Sequence, residues 1–521
     1  MEGSAIEALC KRAEKAWTEA TSHHSNLREF YRWTNPRQWL AMTQGQTVGI
    51  GPNSTSTAYD HIFDPVGCQA LRDGANQIAE ALHPWDQEWV RWGARPDLPE
   101  ASDDGITKDS VAKAAQDYTK LSTALLTSSN FDAEAPAAHQ DFMAGTGFLH
   151  MGIDERNTQQ IQFNAIPAWQ MAIEADSAGR IQAAFRKVHC RARDLAITVP
   201  GADWPQELID KSQKQPDAMV ELGMAVYWVN QDKRWLTVWY SKEGKHLLWS
   251  QYSRTSPIIV YRARRIAGQA WGDGPGFEAL PDIKVANKVV EMILRNAAYA
   301  TAGVWQADDD GVLNPLTIRL VPGAIIPKAQ GSAGLTPLEF PGQFDVSQIV
   351  LNDLRQNIRR AFYVTRVEER EMTAEEYRGR LMQQLRDQRG TYGQLRSEFV
   401  APILLRTLDL AVEMGKAKAT IFDALAQVEL TGPLAMDVRG AEVERVKQAM
   451  MDIASIVGPD MAVAAIKPDK LVPYIQSQRA APKEVFRDES EMVELGNRIT
   501  ELVAAQMAAQ QAGAAPPPGA M

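Results

Sequence analysis

The sequence predicts an α+β protein, mainly helical, and three observations carry that reading. Apolar residues recur at spacings of three and four in the first 82 residues and again beyond residue 281, the period of helices that bury one face. Between Gly147 and Tyr252 the pattern changes to short alternating runs rich in Val, Ile, Tyr and Trp, which is the period of strands. The two regimes meet at Gly268-Gln-Ala-Trp271-Gly-Asp-Gly-Pro-Gly276-Phe-Glu-Ala-Leu-Pro281-Asp-Ile-Lys284, a Gly- and Pro-punctuated turn that runs straight into a helix.

Length and composition set the bounds. A chain of 521 residues exceeds one ordinary core, so several packed layers or domains are expected. Charged residues make up 23% and hydrophobic ones 45%, as in folded soluble proteins. The formal charge is −10, the wrong sign for a protein that grips DNA tightly, though compatible with a surface past which DNA slides. Three cysteines far apart, Cys10, Cys68 and Cys190, argue against a disulfide scaffold and fit a reducing cytoplasm. Arg406 breaks the apolar run from Phe399 to Leu410, and no stretch reaches the ~20 apolar residues that span a bilayer. No signal peptide and no membrane partner are expected.

The first element is a helix over residues 4–34, with Ile6, Leu9, Ala13 and Trp17 on one face. A Gly/Ser/Thr loop follows from Gly45 to Thr57; no Gly-Lys-Ser/Thr follows its glycines, so it is not a phosphate-binding P-loop. An amphipathic helix spans Val66 to Leu82 and ends at His83-Pro84, ahead of Trp85, Trp89 and Trp92. Those tryptophans read as packing residues, with base stacking as the alternative. Residues 109–145 read as two helices. Strands follow at 147–153, 162–166, 168–174 and 181–189, with Asp176-Ser-Ala-Gly179 turning between the last two. A polar insertion carrying Pro200, Pro205 and Pro216 interrupts before strands at 225–229, 235–240 and 246–252.

Beyond the turn, Pro281 suits a first helical turn, and Ile283, Ala286, Val290, Ile293, Ala297 and Ala300 make an apolar seam of heptad-like period. Lys284, Lys288, Glu291 and Arg295 form a second stripe. Residues 303–342 turn irregular. Five prolines from Pro315 to Pro341 limit any sheet there to something small or at an edge. Asp308, Asp309 and Asp310 could hold a hard cation, but the simpler reading is a solvated turn, and no metal is expected.

A second helix starts at the capping-box-like pair Asp345 and Gln348, with Val346, Val350, Leu354, Ile358 and Phe362 as its stripe. Arg355, Arg359 and Arg360 crowd its end, where cations suit the helix dipole. The charged stretch Thr365 to Glu371 leads to a third helix capped by Thr373 and Glu376, which Pro402 should kink near Glu398. Further helices are expected at 440–457, 459–466, 468–478 and 482–508, before an Ala/Gln/Pro-rich tail from 508 to 521 that reads as disordered.

Catalytic motifs are not visible. The eight histidines are scattered, with only His23 and His24 adjacent, and no zinc spacing, nucleophile elbow or Cys/His dyad stands out. Nothing in the sequence calls for an enzyme or a cofactor.

The central stretch resembles the portal, or head-to-tail connector, proteins of short-tailed bacteriophages of the podovirus type. The resemblance rests on a basic strand, Pro257-Ile-Ile-Val-Tyr-Arg262-Ala-Arg264-Arg265, then an aromatic-Gly-x-Gly turn, Trp271-Gly-Asp273-Gly, then Ala279-Leu-Pro-Asp-Ile-Lys284. Met372-Thr-Ala-Glu-Glu-Tyr377 ahead of a long helix adds a second match; Asp273 departs from the family, which often has arginine there.

The resemblance implies a portal-type ring subunit. Residues 1–275 would be the wing, 276–302 and 345–363 the two stem helices, 303–344 the clip and 364–373 the tunnel loop. Residues 374–430 would form the long kinked helix and its connection, 431–507 the crown and 508–521 the tail. A homo-oligomeric ring, dodecameric in the family, would pass double-stranded DNA through an axial channel without hydrolysing anything. Arg366, Glu368, Glu369, Arg370 and Glu371 would border the channel as the tunnel loop, with Lys284, Lys288, Arg295, Arg355 and Arg359 on the stem. Asp308, Asp309 and Asp310 would lie in the clip, where the large terminase and later a tail adaptor dock. Scaffold and major capsid protein would meet the wing, in the virion. Another ring-forming head–tail adaptor, or less readily a packaging enzyme, is the alternative; the missing P-loop counts against a motor.

Overall fold

The computed structural model describes residues 3–44, 57–84, 89–94, 108–154, 156–242, 245–302, 305–307, 335–337, 344–364, 393–417, 426–430, 433–457, 471 and 474–475. The chain forms two compact units. One comprises Met1–Ala79, Ala124–Glu375 and Arg386–Ile421, the other Glu80–Thr123, Glu376–Leu385 and Phe422–Met521.

The order of elements is as follows. Helices α1 (Gly3–Thr34), α2 (Pro36–Gln44) and α3 (Val66–Leu82) open the chain, then come β1 (Val90–Ala94), α4 (Lys108–Thr127) and α5 (Phe131–Met143). Strands β2 (Thr146–Ile153), β3 (Ile161–Ala165), β4 (Met171–Ala175) and β5 (Ile181–Arg191) precede α6 (Leu195–Thr198) and α7 (Gln206–Lys214). Next are β6 (Met219–Val229), β7 (Arg234–Ser241), β8 (Leu247–Ser253), β9 (Ile258–Arg262), β10 (Arg264–Arg265) and β11 (Gly272–Asp273). Helix α8 (Pro275–Ala302), β12 (Trp305–Ala307), β13 (Leu335–Pro337), α9 (Phe344–Ala361), α10 (Ala401–Glu413), β14 (Ala426–Leu430) and α11 (Pro433–Val457) complete the series.

The first unit is built on sheets. Strands β4 to β8 pair in sequence order as a five-stranded sheet, antiparallel throughout, and β2 lies between β3 and β9 in a second. One face of the larger sheet takes α1: Ile6, Leu9, Cys10, Ala13 and Ala16 pack on Ala183, Phe185, Ala225, Leu236 and Val238. Small residues occur on both sides, Ala13 and Ala16 from the helix and Ala183 and Ala225 from the strands, among the larger Ile6, Leu9, Phe185 and Leu236. A second core joins Val188, Cys190, Val220 and Leu222 to Leu195 of α6, Val199 just after it and Leu208 of α7. All three cysteines are free, as their spacing suggested.

The helices at 4–34 and 66–82, and most strands, fall where periodicity placed them. Several expectations need correction. Residues 168–170 form a 3₁₀ turn and β4 starts only at Met171, because the buried Asp141 carboxylate accepts the Ala168 N–H at 2.8 Å and diverts it from any ladder. The polar insertion contains α7, which buries only Leu208 and so leaves almost no apolar period to read. Pro281 sits inside α8, which begins six residues earlier at Pro275; there the ring removes the bond that Phe277 C=O would accept. In α9, Val350 is 47% exposed and Leu351 is buried instead, with Ile358 and Phe362. The disturbance expected before Pro402 takes the form of a π-helical turn, Arg396–Val400, leading into α10.

In the second unit β1 pairs antiparallel with β14, Val90 opposite Leu430. Neither strand was expected; residues 374–430 read as helix and connection. Trp92 shows the packing role foreseen for the tryptophans. It is buried, its backbone N–H donates to Thr119 Oγ1 at 2.9 Å and its indole N–H to Ser122 Oγ at 3.2 Å. Helix α11 starts at Pro433 rather than 440, proline being suited to a first helical position. The loop 45–56, the capping pair Thr373 and Glu376, most of the irregular stretch 303–342 with the short strands its sequence suggests at Leu316–Leu320 and Ala324–Ile326, and nearly all of the later C-terminal helices lie outside the described residues.

Candidate functional site

The turn and the two helices rooted beside it form the candidate site, and the reason for its glycines is close backbone approach. A Cβ on Gly272 would lie 2.4 Å from Gly145 O, and one on Gly274 would lie 2.3 Å from Met143 O. One on Gly276 would strike the Phe30 ring at 2.4 Å. The aromatic-Gly-x-Gly pattern is therefore a packing requirement: only glycine lets this turn seat against the end of α5. Its aromatic member, Trp271, stacks on His23 of α1 with centroids 4.0 Å apart and planes 20° apart. Burial, with the neighbouring His24, pulls the His23 imidazole down to about 3.

Each arginine of the preceding basic strand has a task within the chain. Arg262 is 1% exposed and grips Glu398 of the π-turn, giving its backbone N–H to Oε2 at 3.0 Å and its Nε–H to the same oxygen at 3.1 Å. Its Nη2 also donates to Gly179 O at 2.9 Å. Arg264 bridges Asp273 at 3.0 Å and Glu278 at 2.6 Å. Arg265 donates to Ala178 O. The cluster pins β9, the Asp176–Gly179 hairpin and the start of α8 to one another.

Helices α8 and α9 share a root at residues 61–66. Asn287, buried on α8, accepts the Phe63 N–H at 2.6 Å and the Asp64 N–H at 3.0 Å, and donates to His61 O at 3.1 Å. Asp64 in turn accepts the Val66 N–H at 3.0 Å, capping α3, and takes Arg355 Nε from α9 at 3.0 Å. Sequence reasoning missed Asn287 and Asp64. The signal was there, an amide one residue after the seam position Ala286 and an Asp just ahead of a helix, but only their meeting gives it sense.

The basic residues proposed on the stem are already paired. Lys284 bonds Glu29 of α1, Lys288 and Arg295 both reach Glu291 at 3.0 and 2.6 Å, and Arg355 holds Asp64. Arg359 is half-buried near the end of α9. These charges are compensated within the chain rather than presented as a bare stripe. The apolar seam is buried at Ile283 and Ala286, half-buried at Val290 and Ile293, and open at Ala297. Val285, Met292 and Leu294 on α8 are about half exposed, at 49%, 52% and 53%, as is Val350 on α9 at 47%; Ile349 is 64% exposed. The residues proposed for the tunnel loop, Arg366, Glu368, Glu369, Arg370 and Glu371, and those for clip docking, Asp308, Asp309 and Asp310, lie outside the described residues. Among the described residues no group of His, Cys, Asp and Glu is placed to hold a metal, and no helix is long and apolar enough to cross a membrane.

Fold and site together define a sheet-and-helix protein with two rooted helices that carry apolar side chains out to solvent. The chain belongs to the bacteriophage head to tail connecting protein family, whose model matches residues 7–486. Among solved structures it is similar to a chain from the neck of an empty GTA particle computed with C6 symmetry, at 15% identity and a TM-score of 0.31, covering 78% of this chain and 93% of that one. A chain from the virion of a native gene transfer agent (GTA) particle gives 15% identity and 0.30, covering 80% and 95%. One from the neck of a native GTA particle computed with C12 symmetry gives 15% and 0.31, covering 77% and 90%. Among curated proteins no match is found. The assignment to the family rests on the sequence match.

Proposed function

We propose that this chain is the portal member of its connector family: a subunit of a closed homo-oligomeric ring, podovirus-type, at one capsid vertex of the virion. The ring is a passive conduit for double-stranded DNA during packaging and ejection. The observation that carries the reading is the contrast along α8 and α9. Their roots are locked by Asn287 and the Asp64–Arg355 pair, yet Met292, Leu294, Ile349 and Val350 face solvent. A helix pair held that firmly and left apolar outside suits repeated side-by-side contact, and a ring closes heterologous contacts without leaving an open end. Internal pairing of Lys284, Lys288, Arg295 and Arg355 suits a lining that lets phosphates slide rather than bind. On this reading residues 303–344 are the clip that receives terminase and then the tail adaptor, and residues 364–373 the tunnel loop. Scaffold and major capsid protein meet the wing.

Electron microscopy of the purified chain tests this directly. Rings with a central hole are expected, and Leu294→Asp should give monomers of unchanged fold, because the side chain is half exposed in the single chain. A monomeric wild-type protein, or rings indifferent to that charge, would overturn the proposal.

A further inference from the structure

Among the described residues β9 is an outer strand, paired with β2 on one side only. The Met151 N–H donates to Pro257 O and the Ala263 N–H to Gly145 O, so the odd-numbered residues of this stretch turn their backbone groups to β2. Ile258, Val260 and Arg262 turn theirs to the open side. Side chains serve two of these three. The Ser256 hydroxyl donates to Ile258 O at 2.7 Å and accepts the Ile258 N–H at 3.3 Å, and Glu398 accepts the Arg262 N–H at 3.0 Å. Between them the N–H and C=O of Val260 have no partner among the described residues, although Val260 is only 9% exposed. Folded chains seldom leave such groups unpaired.

That gap opens into a cleft of about 540 Å³. Ile258, Ile259 and Val260 all line it. Consecutive side chains of a strand point to opposite faces, so three in a row border one cleft only where it meets the strand edge-on. Trp235, Pro402 and Leu405 add apolar wall, and Leu405 is 45% exposed. Arginine dominates the charge. Arg180, Arg254, Arg262 and Arg265 stand against one lining carboxylate, Glu398, which Arg262 holds. Asp176, 2.9 Å from Arg180, offsets another and still leaves the cleft positive. A strand edge recognises extended peptide backbone, and pockets beside it select alternate side chains. Apolar walls and an arginine rim match a peptide in which apolar and acidic residues alternate.

We propose that this cleft binds an extended acidic segment of a partner protein, which pairs one residue with Val260 and sets its carboxylates against Arg180, Arg254 and Arg265. No described residue of α8 or α9 lines it, so the proposal stands apart from the portal reading.

The probe is a fluorescein-labelled (Glu-Val)₃ amide, followed by anisotropy on the full-length chain. Saturable binding of one peptide per chain is expected, with none for (Lys-Val)₃. Arg180→Glu, at an exposed position, should weaken binding about threefold or more. Lys214→Glu, the same change of charge on α7, should leave it unchanged. Edge pairing is tested on the peptide, so that no variant has to fold. Methylating the backbone nitrogen of every valine blocks one edge of the peptide, and of every glutamate the other. One of these two forms should lose about tenfold or more and the other much less. No saturable binding, equal affinity of the two methylated forms, or indifference to Arg180→Glu would overturn the site. So would displacement of the peptide by a duplex oligonucleotide, or loss of binding when the chain self-associates, which would give the cleft to nucleic acid or to a second copy.

Discussion

Arg355 Nε lies 3.0 Å from Asp64 Oδ2, and the other oxygen of that buried carboxylate caps α3 through the Val66 N–H. One aspartate thus couples a helix start to the side of α9, and Asn287 ties α8 to the same turn. Removing a partner from a buried pair costs more than the pair is worth, because the remaining charge stays desolvated. Asp64→Ala should therefore destabilise the protein by about 3 kcal/mol. Asp64→Asn, which keeps the acceptor for Val66, should cost less. Chemical denaturation of both variants checks the order; equal losses would show that the ion pair alone matters and the cap does not.

The glycines of the central turn predict a sharp contrast. Gly274→Ala brings a Cβ to 2.3 Å from Met143 O, a backbone atom that cannot swing aside, and should cost about 3 kcal/mol or prevent folding. Gly393→Ala meets nothing within 4 Å in a helical position, and should stabilise by about 0.5–1 kcal/mol. Melting temperatures that fell alike in both would refute close approach as the reason for the motif.

Asp141 predicts a dependence on pH. It accepts the Tyr31 hydroxyl at 2.7 Å and the Ala168 N–H, yet burial outweighs both and pushes its carboxyl up to about 6. The folded state therefore binds its proton more tightly than the unfolded chain does. Its contribution is fully present below about pH 4 and is lost as pH rises through about 6, by roughly 3 kcal/mol. Asp141→Asn abolishes that titration but sets an amide N–H against one of two donors, so it should be less stable throughout. The gap between wild type and variant should narrow from pH 4 to 7; a constant gap would exclude the effect.

His23 works in the opposite sense. Stacked on Trp271 and held neutral, with its imidazole at about 3, it favours the fold above the ordinary histidine range near 6.5 and disfavours it progressively as pH falls. His23→Phe keeps an aromatic surface against the indole and removes the charge. Its stability relative to wild type should improve by about 2 kcal/mol between pH 7 and 5, read from denaturation midpoints.

On the portal reading the mixed-sign stretch from Val367 to Glu371 bears on DNA retention rather than on assembly. Its deletion should leave rings intact while packaging stalls or packaged DNA escapes. Particles that fill and hold their DNA normally would remove the tunnel-loop assignment.

The sequence by itself determined the α+β class, the edges of α1, α3 and most strands, and the turn at Trp271 to Gly276, because periodicity and Gly/Pro punctuation are local properties. It also held the family, through that turn and the basic strand before it. It could not give β14, since residues 426–430 become a strand only by pairing with β1 more than 300 residues away. Nor could it give the partners of the charged residues. Lys284 read as one member of a charged stripe and Arg355 as a cation at a helix end, because Glu29 and Asp64 stand hundreds of residues upstream, and Arg262 read as part of a basic strand until Glu398 met it. Arg406 looked like a break in an apolar run; the tertiary structure buries it on α10, 3.8 Å from Glu413. Burial and long-range pairing decide what a charge does, and neither is a property of neighbours along the chain.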